Sequence, residues 1–377
     1  MADAAGRLRV GIVSANWGAL AHLPAWRLVD GVDVVAICTS RQQTAEEAAE
    51  RFGVARPFWS YEAMAADPDI DIIDAGTNPL LREKIVTAAL QGGKHAVNQL
   101  PFTATPEGAE TLAALAKAKG LVGAAAASVV GLPHVALMKE MVEAGEIGEV
   151  FQVHCSWQMS FFLNIPPGFP YTWFGKAGQG VSVTRNHGSH MLHALRHVFG
   201  PIDAVMGHIA TRHPLWEIPG EGPMANETDD TSHALLRFAN GAMGNVSTSW
   251  VAADSPGFTL EALGSKGRLR LDALRYPSIE SAKLYFSNES SLYMLPSGKD
   301  IAVPDRLMSV SGKLVEPDAG DMWNGGQRVS LGRVFESVAQ AIREGGEPVP
   351  NFARAAEIQR LIEALYESNA RGAWVTT

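Results

Sequence analysis

The chain has 377 residues, which is too long for one typical core and suits two domains, and its formal charge is -9. The negative charge and the lack of basic runs argue against nucleic acid as a partner, and no apolar stretch is long enough for a membrane span. The N-terminal apolar run is too short for a signal peptide, and Cys38 and Cys155 are too distant in sequence for a disulfide framework. We therefore expect a cytoplasmic protein with a small-molecule partner.

The first third of the chain alternates between short apolar runs and helical patterns. A capping Thr105 followed by Pro106 predicts the start of one helix, and Gly53 predicts the end of another. Strands separated by helices at this spacing imply a parallel sheet with right-handed crossovers. We predict a doubly wound parallel sheet over residues 1–127, with strands in RLRVGIVSA, VDVVAICTS, DIDIIDAGT, KHAVNQ and LVGAAAAS.

The remainder of the chain has longer, partly alternating apolar patterns that are typical of an open, mainly antiparallel sheet. Asn240-Gly241 predicts a hairpin turn, and GSKG predicts a weaker one. Two amphipathic helices are predicted near the C-terminus, in GRVFESVAQAIREGG and NFARAAEIQRLIEALYESNARG. We therefore predict a second α/β domain over residues 128–377, for substrate binding and oligomerisation.

The first strand-to-helix turn is the place where a dinucleotide-binding protein holds a pyrophosphate, with the pattern G-x-G-x-x-G. This chain reads Ser14-Ala15-Asn16-Trp17-Gly18-Ala19 there. Ser14 and Asn16 are small, Asn tolerates positive φ, and both side chains could bind phosphate. A tight turn without a ligand remains an equal alternative on this stretch alone.

The end of the second predicted strand indicates which dinucleotide binds. NAD enzymes usually have a carboxylate there for the ribose 2′-hydroxyl. This chain has Thr39, Ser40 and Arg41, and its first carboxylate is Glu46. Because a guanidinium matches phosphate oxygens, the pattern favours NADP, with NAD also possible. The alternative is a helix-starting serine beside a solvated arginine.

Several stretches together resemble the Gfo/Idh/MocA oxidoreductase family: HLPAW, GTNPLLREKIVTAALQGGKHAV, EAGEIGEV, NHGSHMLHALRHVFGPI and DDTSHALLRFANGAMG. The resemblance covers nearly the whole chain and implies an N-terminal Rossmann domain with a C-terminal open-sheet domain. It implies NAD(P)-dependent redox chemistry on sugars, polyols or related cyclic alcohols, without a metal. It also implies a homodimer or homotetramer, paired through the open sheet.

The resemblance also implies which residues form the site. It places the phosphate turn on Ser14, Asn16, Trp17 and Ala19, and the ribose position on Ser40 and Arg41. The segment near the nicotinamide falls on Thr77 and Asn78, and the E-K-P motif falls on Gln99, Leu100 and Pro101. The D-x-G-x-H motif falls on Asn186, Gly188 and His190. Two departures stand out, because the motif lysine is Leu100 and the motif aspartate is Asn186. In this the chain is similar to a lysine-less branch that includes the fungal galactose-pathway repressor, which binds dinucleotide without turnover.

His190 is the acid/base residue that we expect, because imidazole titrates near neutral pH. Tyr171 and Lys176 are close in sequence and chemically capable of helping. The leading hypothesis is an NAD(P)-dependent oxidoreductase. The alternatives are a non-catalytic dinucleotide sensor and a redox-neutral lyase or glycosidase that retains its cofactor. A zinc site at His190, His193 and His197, which follow helical spacing, is a minor alternative.

An aromatic-rich segment, SWQMSFFLNIPPGFPYTWFGKAG, precedes the predicted histidine helix. Its proline and glycine residues prevent regular structure through much of its length. By the family resemblance it borders the substrate cleft, where aromatic side chains would suit a sugar ring or an aromatic substrate. The equal alternative is that the aromatic side chains cover the sheet or a subunit interface.

Overall fold

A computed structural model describes residues 6–274, 276–288, 298–316 and 327–377. Residues 1–5, which belong to the N-terminal stretch that we expect not to be a signal peptide, lie outside the described residues. The chain divides into two compact units, Met1–Gly131 with Met308–Gln359, and Leu132–Leu307 with Arg360–Thr377. The prediction assigned all residues after 127 to one domain. In the structure, Met308–Gln359 instead groups with the N-terminal part of the chain. None of the described helices is both long and apolar enough to cross a membrane.

The first unit contains a six-stranded parallel sheet with the strand order β3-β2-β1-β4-β5-β6. This confirms the predicted doubly wound sheet, whose order reverses between β1 and β4. The strands are β1 (Leu8–Val13), β2 (Val32–Cys38), β3 (Arg56–Phe58), β4 (Ile72–Ala75), β5 (His95–Asn98) and β6 (Gly123–Ala125). The helices are a π-helical turn (Gly18–His22) that continues as α1 (Leu23–Trp26), α2 (Gln42–Phe52), α3 (Tyr61–Ala66), α4 (Pro79–Gln91), α5 (Pro106–Ala118) and α6 (Ser128–Gly131).

Local sequence signals set the ends of several of these helices. The Thr105 hydroxyl accepts a hydrogen bond from the Gly108 N–H at 3.2 Å, which confirms the predicted cap of α5. Gly53 ends α2 in the left-handed conformation with φ 61°, as predicted. Asn78 caps α4 by accepting from the Leu80 N–H at 2.9 Å. Each cap fixes a loop at an end of the sheet.

The C-terminal helix α10 (Arg328–Glu344) packs on the first unit and completes its core. Phe335 of α10 stacks on Trp26, with ring centroids 4.3 Å apart and planes 11° apart. Phe352, at the start of α11 (Phe352–Arg371), contacts the edge of Phe102 with ring centroids 4.9 Å apart. These buried aromatic contacts are the physical reason for the discontinuous unit.

The described strands of the second unit form a nine-stranded sheet with the order β16-β15-β14-β13-β7-β12-β11-β8-β19. Among its described pairs only β7–β12 is parallel, which confirms the mainly antiparallel prediction. Asn240-Gly241 joins β11 to β12, and GSKG joins β13 to β14, as predicted. The strands of the sheet are β7 (Val150–Gln158), β8 (Ile202–Ala210), β11 (Thr231–Phe238), β12 (Met243–Ser249), β13 (Gly257–Gly264), β14 (Arg268–Ala273), β15 (Ala282–Ser287), β16 (Lys299–Ile301) and β19 (Val375–Thr376).

The remaining elements are short or lie beside the two sheets. The second unit includes a hairpin, β9 (Leu215–Ile218) with β10 (Gly222–Ala225), and its helices are α7 (Pro133–Glu143), α8 (Val183–Phe199) and a 3-10 turn (Thr172–Gly175). The first unit includes a second hairpin, β17 (Ser309–Val310) with β18 (Lys313–Leu314), which follows α9 (Asp305–Met308). Helix α11 contributes residues to both units.

Candidate cofactor and catalytic sites

The turn after β1 is tight and leads directly into the first helix. The Ser14 hydroxyl accepts a hydrogen bond from the Asn16 N–H at 3.1 Å, so Ser14 shapes the turn. The helix starts directly afterwards, and Trp17, at its N-cap position, contributes no side-chain hydrogen bond to it. Ala19 is buried beneath the turn, whereas Asn16 is exposed. Because the first N–H groups of a helix lack intrahelical partners, they suit an anionic ligand.

Gly18 and Gly76, which are not among the residues predicted to form the site, let the first helix approach the end of β4. A Cβ atom on Gly76 would lie 2.8 Å from the Gly18 Cα and 2.9 Å from its N. A Cβ atom on Gly18 would lie 2.9 Å from the Ser14 Cβ. The close-packing role that a dinucleotide fingerprint gives to its last glycine is thus met here by Gly18 and Gly76. The sequence signal was a glycine directly after a predicted strand.

The end of β2 presents a cation and no carboxylate. The Thr39 hydroxyl donates to the Arg41 carbonyl at 3.0 Å and contacts the Thr44 hydroxyl at 2.7 Å, which fixes this turn. Ser40 and Arg41 are exposed beside it. The Arg41 guanidinium makes no hydrogen bond or ion pair within the described parts of the chain, so it is available to an anionic ligand.

The loops after β4 and β5 contain the residues expected near the nicotinamide. Asn78 uses its side-chain oxygen to cap α4, so it supports the loop. The Gln99 side-chain oxygen accepts from the Leu100 N–H at 2.8 Å, which leaves the Gln99 amide N–H groups as donors. Pro101 is buried after a cis peptide bond, and its carbonyl accepts a hydrogen bond from Arg82. The Thr77 carbonyl accepts from the same guanidinium.

Leu100 has become part of the hydrophobic core of the first unit. Its side chain is only 3% exposed and belongs to an apolar cluster that includes Val13, Ala75 and Phe102. An ammonium group at this position would need to leave that cluster or lose its hydration. The surroundings of this position therefore favour leucine over the lysine that the sequence resemblance implies.

Enclosed polar atoms at the carboxyl edge of the first sheet indicate that a polar ligand fits there. Thr77 Oγ1, Asn98 Oδ1 and Ser128 Oγ are buried without a hydrogen-bond partner among the described residues. Such atoms are rare in native proteins unless a ligand or water satisfies them. They follow or end β4, β5 and β6, the edge at which open α/β sheets bind ligands. The residues present therefore fit a dinucleotide.

The histidine-rich sequence forms helix α8, as its spacing predicts. Ser182 caps this helix by accepting from the Arg185 N–H at 3.2 Å, and Tyr366 contacts the same hydroxyl at 2.8 Å. His190 is buried, its Nδ1 has no hydrogen-bond partner within the described residues, and burial lowers its pKa to about 3. The imidazole is therefore neutral at physiological pH. The expectation that it titrates near neutral pH is wrong, because burial, which the sequence argument did not include, lowers its pKa. Asn186 is partly exposed one turn earlier on the helix.

His187 is committed to packing, an arrangement that the sequence pattern did not reveal. Its ring stacks on Trp157, with centroids 3.9 Å apart and planes 5° apart. Its Nε2 accepts a hydrogen bond from the Trp250 indole N–H at 3.2 Å. Burial, with a smaller contribution from His190, holds the pKa of His187 well below its usual value. Trp157 also contacts His190 edge-on at 6.1 Å, so it links the two histidines.

The aromatic-rich segment packs mainly on itself and on neighbouring strands. Phe162 stacks on Trp216 with centroids 4.0 Å apart and planes 10° apart, and both side chains are buried. Tyr171 lies against Phe169 and Phe174, and burial raises the pKa of its phenol to about 12. Lys176 is partly exposed directly after the 3-10 turn. The segment therefore covers part of the second unit's core, and a role as a substrate wall remains a prediction.

Metal-ligand chemistry is not favoured by the arrangement of side chains that the structure describes. Within the described residues, no three or more His, Cys, Asp or Glu side chains are placed to hold one ion. His190 and His193 are both buried on α8, whereas His197 is partly exposed.

The strand order, its reversal between β1 and β4, and the tight turn into the first helix define a dinucleotide-binding Rossmann domain. Residues 8–126 match the family model described as "Oxidoreductase family, NAD-binding Rossmann fold", and residues 135–270 match "GFO/IDH/MocA C-terminal domain". The chain belongs to the Gfo/Idh/MocA family of oxidoreductases, with an NAD-binding Rossmann domain, which confirms the family resemblance seen in its sequence motifs. The similarity to a lysine-less branch stays a prediction.

Curated relatives of this chain include dehydrogenases that act on sugars and cyclitols. Levoglucosan dehydrogenase from Pseudarthrobacter phenanthrenivorans is 26% identical over 361 residues, covering 90% of this chain and 88% of the relative. The scyllo-inositol 2-dehydrogenase (NADP(+)) of Bacillus subtilis is 23% identical over 370 residues, covering 96% and 94%. A solved structure of levoglucosan dehydrogenase in complex with NADH has a TM-score of 0.86 at 23% identity, covering 98% of this chain and 99% of that one, which shows a shared fold.

Proposed function

We propose that this protein is an NADP-dependent oxidoreductase that acts on a sugar, polyol or other cyclic alcohol or carbonyl, with His190 as the acid/base group. The observation that carries the proposal is the set of enclosed, unsatisfied polar atoms at the carboxyl edge of the first sheet. The names of the curated relatives, dehydrogenases for levoglucosan, apiose and scyllo-inositol, support the substrate class. Exposed Arg41 supports NADP over NAD.

Each group of the chain has a role in this proposal. The N–H groups at the helix start bind the pyrophosphate, and Arg41 binds the ribose 2′-phosphate. The Gln99 amide N–H groups donate hydrogen bonds at the nicotinamide end. The dinucleotide, when bound, supplies the hydride chemistry. Neutral His190 accepts the proton of a substrate hydroxyl, or returns it in the reverse direction, and Asn186, Tyr171 and Lys176 assist in holding the substrate.

A turnover screen tests this function against its two alternatives. We expect absorbance changes at 340 nm when NADPH or NADP⁺ is mixed with members of a panel of sugars, polyols, cyclitols and their carbonyl forms. Tight binding of dinucleotide without turnover on any panel member would favour a sensor like the lysine-less branch, an idea that the core position of Leu100 supports. Substrate consumption on a copurified cofactor, without net reduction, would favour a redox-neutral lyase or glycosidase.

We also propose that the protein is a cytoplasmic homodimer or homotetramer that pairs through the outer face of the nine-stranded sheet. That face presents Leu235 and Met243, which are 49% and 62% exposed, among polar side chains of central strands. We expect light scattering to give twice or four times the chain mass, and the pair of changes Leu235→Glu and Met243→Glu to give monomers. A monomeric unmodified protein would contradict the proposal.

Both cysteines are buried free thiols, which supports the reducing compartment proposed for this protein.

A further inference from the structure

Arg82 ties together the two loops that follow β4 and β5. It lies in the first turn of α4 and is only 2% exposed. Its Nη1 donates a hydrogen bond to the Thr77 carbonyl, and its Nη2 donates one to the Pro101 carbonyl. The sequence pattern did not identify this residue, because the contacts join segments that are apart in the chain.

No carboxylate among the described residues forms an ion pair with Arg82. Its guanidinium donates to the Thr77 and Pro101 carbonyls, and its Nε is enclosed without a partner in the described part of the chain. Burial alone lowers its pKa to about 9, so the guanidinium remains charged at neutral pH. The nearby strand β4 has one carboxylate, Asp74, which is held by His22 Nδ1 at 2.8 Å and by the Trp26 indole N–H at 2.7 Å.

Helix α4 adds to the positive potential at this end of the sheet. Its N-terminus has the positive end of the helix dipole, and its first turn contains no acidic residue. A cation in the first turn is unfavourable for the helix by itself. An unpaired buried charge is also costly, so this arrangement is consistent with an electrostatic role towards a ligand.

The topology places Arg82 on the nicotinamide side of the proposed dinucleotide site. A dinucleotide lies across the point where the strand order reverses, which here is between β1 and β4. Arg41, at the end of β2, marks the adenosine half. The nicotinamide half therefore belongs with the ends of β4 and β5, whose loops Arg82 joins.

We infer that Arg82 biases the site towards the reduced dinucleotide. The oxidised nicotinamide ring has a positive charge, whereas the reduced ring is neutral. A buried cation at the nicotinamide end of the site raises the free energy of the oxidised form more than that of the reduced form. A tenfold difference between the two affinities corresponds to about 1.4 kcal/mol, which lies within the range of charge–charge interactions in proteins. This inference rests on the proposed dinucleotide binding by the first unit.

Substitutions that separate charge from loop support test this role. Arg82→Lys keeps a cation, whereas Arg82→Gln keeps a donor and removes the charge. Calorimetry at pH 6.5, where a buried lysine is better protonated, would give the Kd values of NADPH and NADP⁺ for each protein. We expect the unmodified protein to bind NADPH about tenfold more tightly than NADP⁺. Arg82→Gln should remove most of that ratio, and Arg82→Lys should retain it.

A purely structural role for Arg82 would weaken both redox forms by the same factor, and that result would overturn the inference. Adenosine 2′,5′-bisphosphate reports the adenosine half alone, so its unchanged Kd would show that the variants keep a folded turn. Arg51→Gln, an exposed change in the last turn of α2, is the matched control. If Arg82→Gln does not fold, equal affinities of the unmodified protein for NADPH and NADP⁺ overturn the inference. Failure to bind either form would instead overturn the proposed function itself.

Discussion

His190→Ala should lower kcat by about two to four orders of magnitude while leaving the Kd of the dinucleotide unchanged. The reason is that the enclosed imidazole is the proposed proton acceptor, and the alanine methyl group cannot accept a proton. Steady-state kinetics with calorimetry would measure both quantities. His213→Ala, a partly exposed histidine in the loop between β8 and β9, is the matched control and should keep full activity.

The pH profile provides a second readout for His190. Because burial depresses its pKa to about 3, the group is deprotonated above that value and becomes protonated only as the pH falls towards 3. We therefore expect kcat/KM of the unmodified protein to lack a histidine-type acid limb between pH 5 and 8, provided that the protein stays folded. Full activity of His190→Ala would eliminate the mechanism. Loss of folding together with activity would point to a packing role.

Arg41→Ala should raise the Kd of NADPH roughly 10- to 100-fold and change the Kd of NADH little. The estimate follows from a charge-assisted hydrogen bond, which contributes about 1.5–3 kcal/mol. The Arg41 side chain is exposed and makes no ion pair among the described residues, so its removal should not disturb the fold. Fluorescence titration of both dinucleotides would measure the difference.

Arg51→Ala serves as the control for the loss of one positive charge from α2, since Arg51 lies in its last turn. An equal weakening of NADPH and NADH binding by Arg41→Ala would show that Arg41 does not contact a 2′-phosphate. Tighter binding of NADH than of NADPH by the unmodified protein would also contradict the NADP assignment.

Much of the fold could be predicted because its signals are local. Apolar runs predicted the main parallel strands, Thr105 and Gly53 set helix ends, and Asn240-Gly241 set a hairpin. The strand Arg56–Phe58 was missed because three residues with a central proline show no alternation. The docking of α10 was missed for a different reason. An amphipathic pattern shows that a helix buries one face, but it does not identify the surface that covers it.

The candidate site was less predictable, because its supporting contacts join distant segments. The Gly18–Gly76 approach depends on the first and fourth strands being neighbours. The stacking of His187 on Trp157 likewise depends on the packing of α8 against the sheet. The sequence suggested that Leu100 stands in place of a catalytic residue. The structure shows that its side chain is part of the hydrophobic core of the first unit. Composition and spacing alone do not distinguish a lost catalytic residue from a residue of the core.

The discontinuous first unit has a consequence for how the protein forms during synthesis. Its described parallel strands are complete by Ala125, yet Phe335 and Phe352, which cover Trp26 and Phe102, are translated only after Leu132–Leu307. The segment up to Gly131 therefore has part of its core uncovered while Leu132–Leu307 is being synthesised. We expect chaperones that bind exposed aromatic surface to act in that interval, which ends only after Phe352 has left the ribosome and can pack on Phe102.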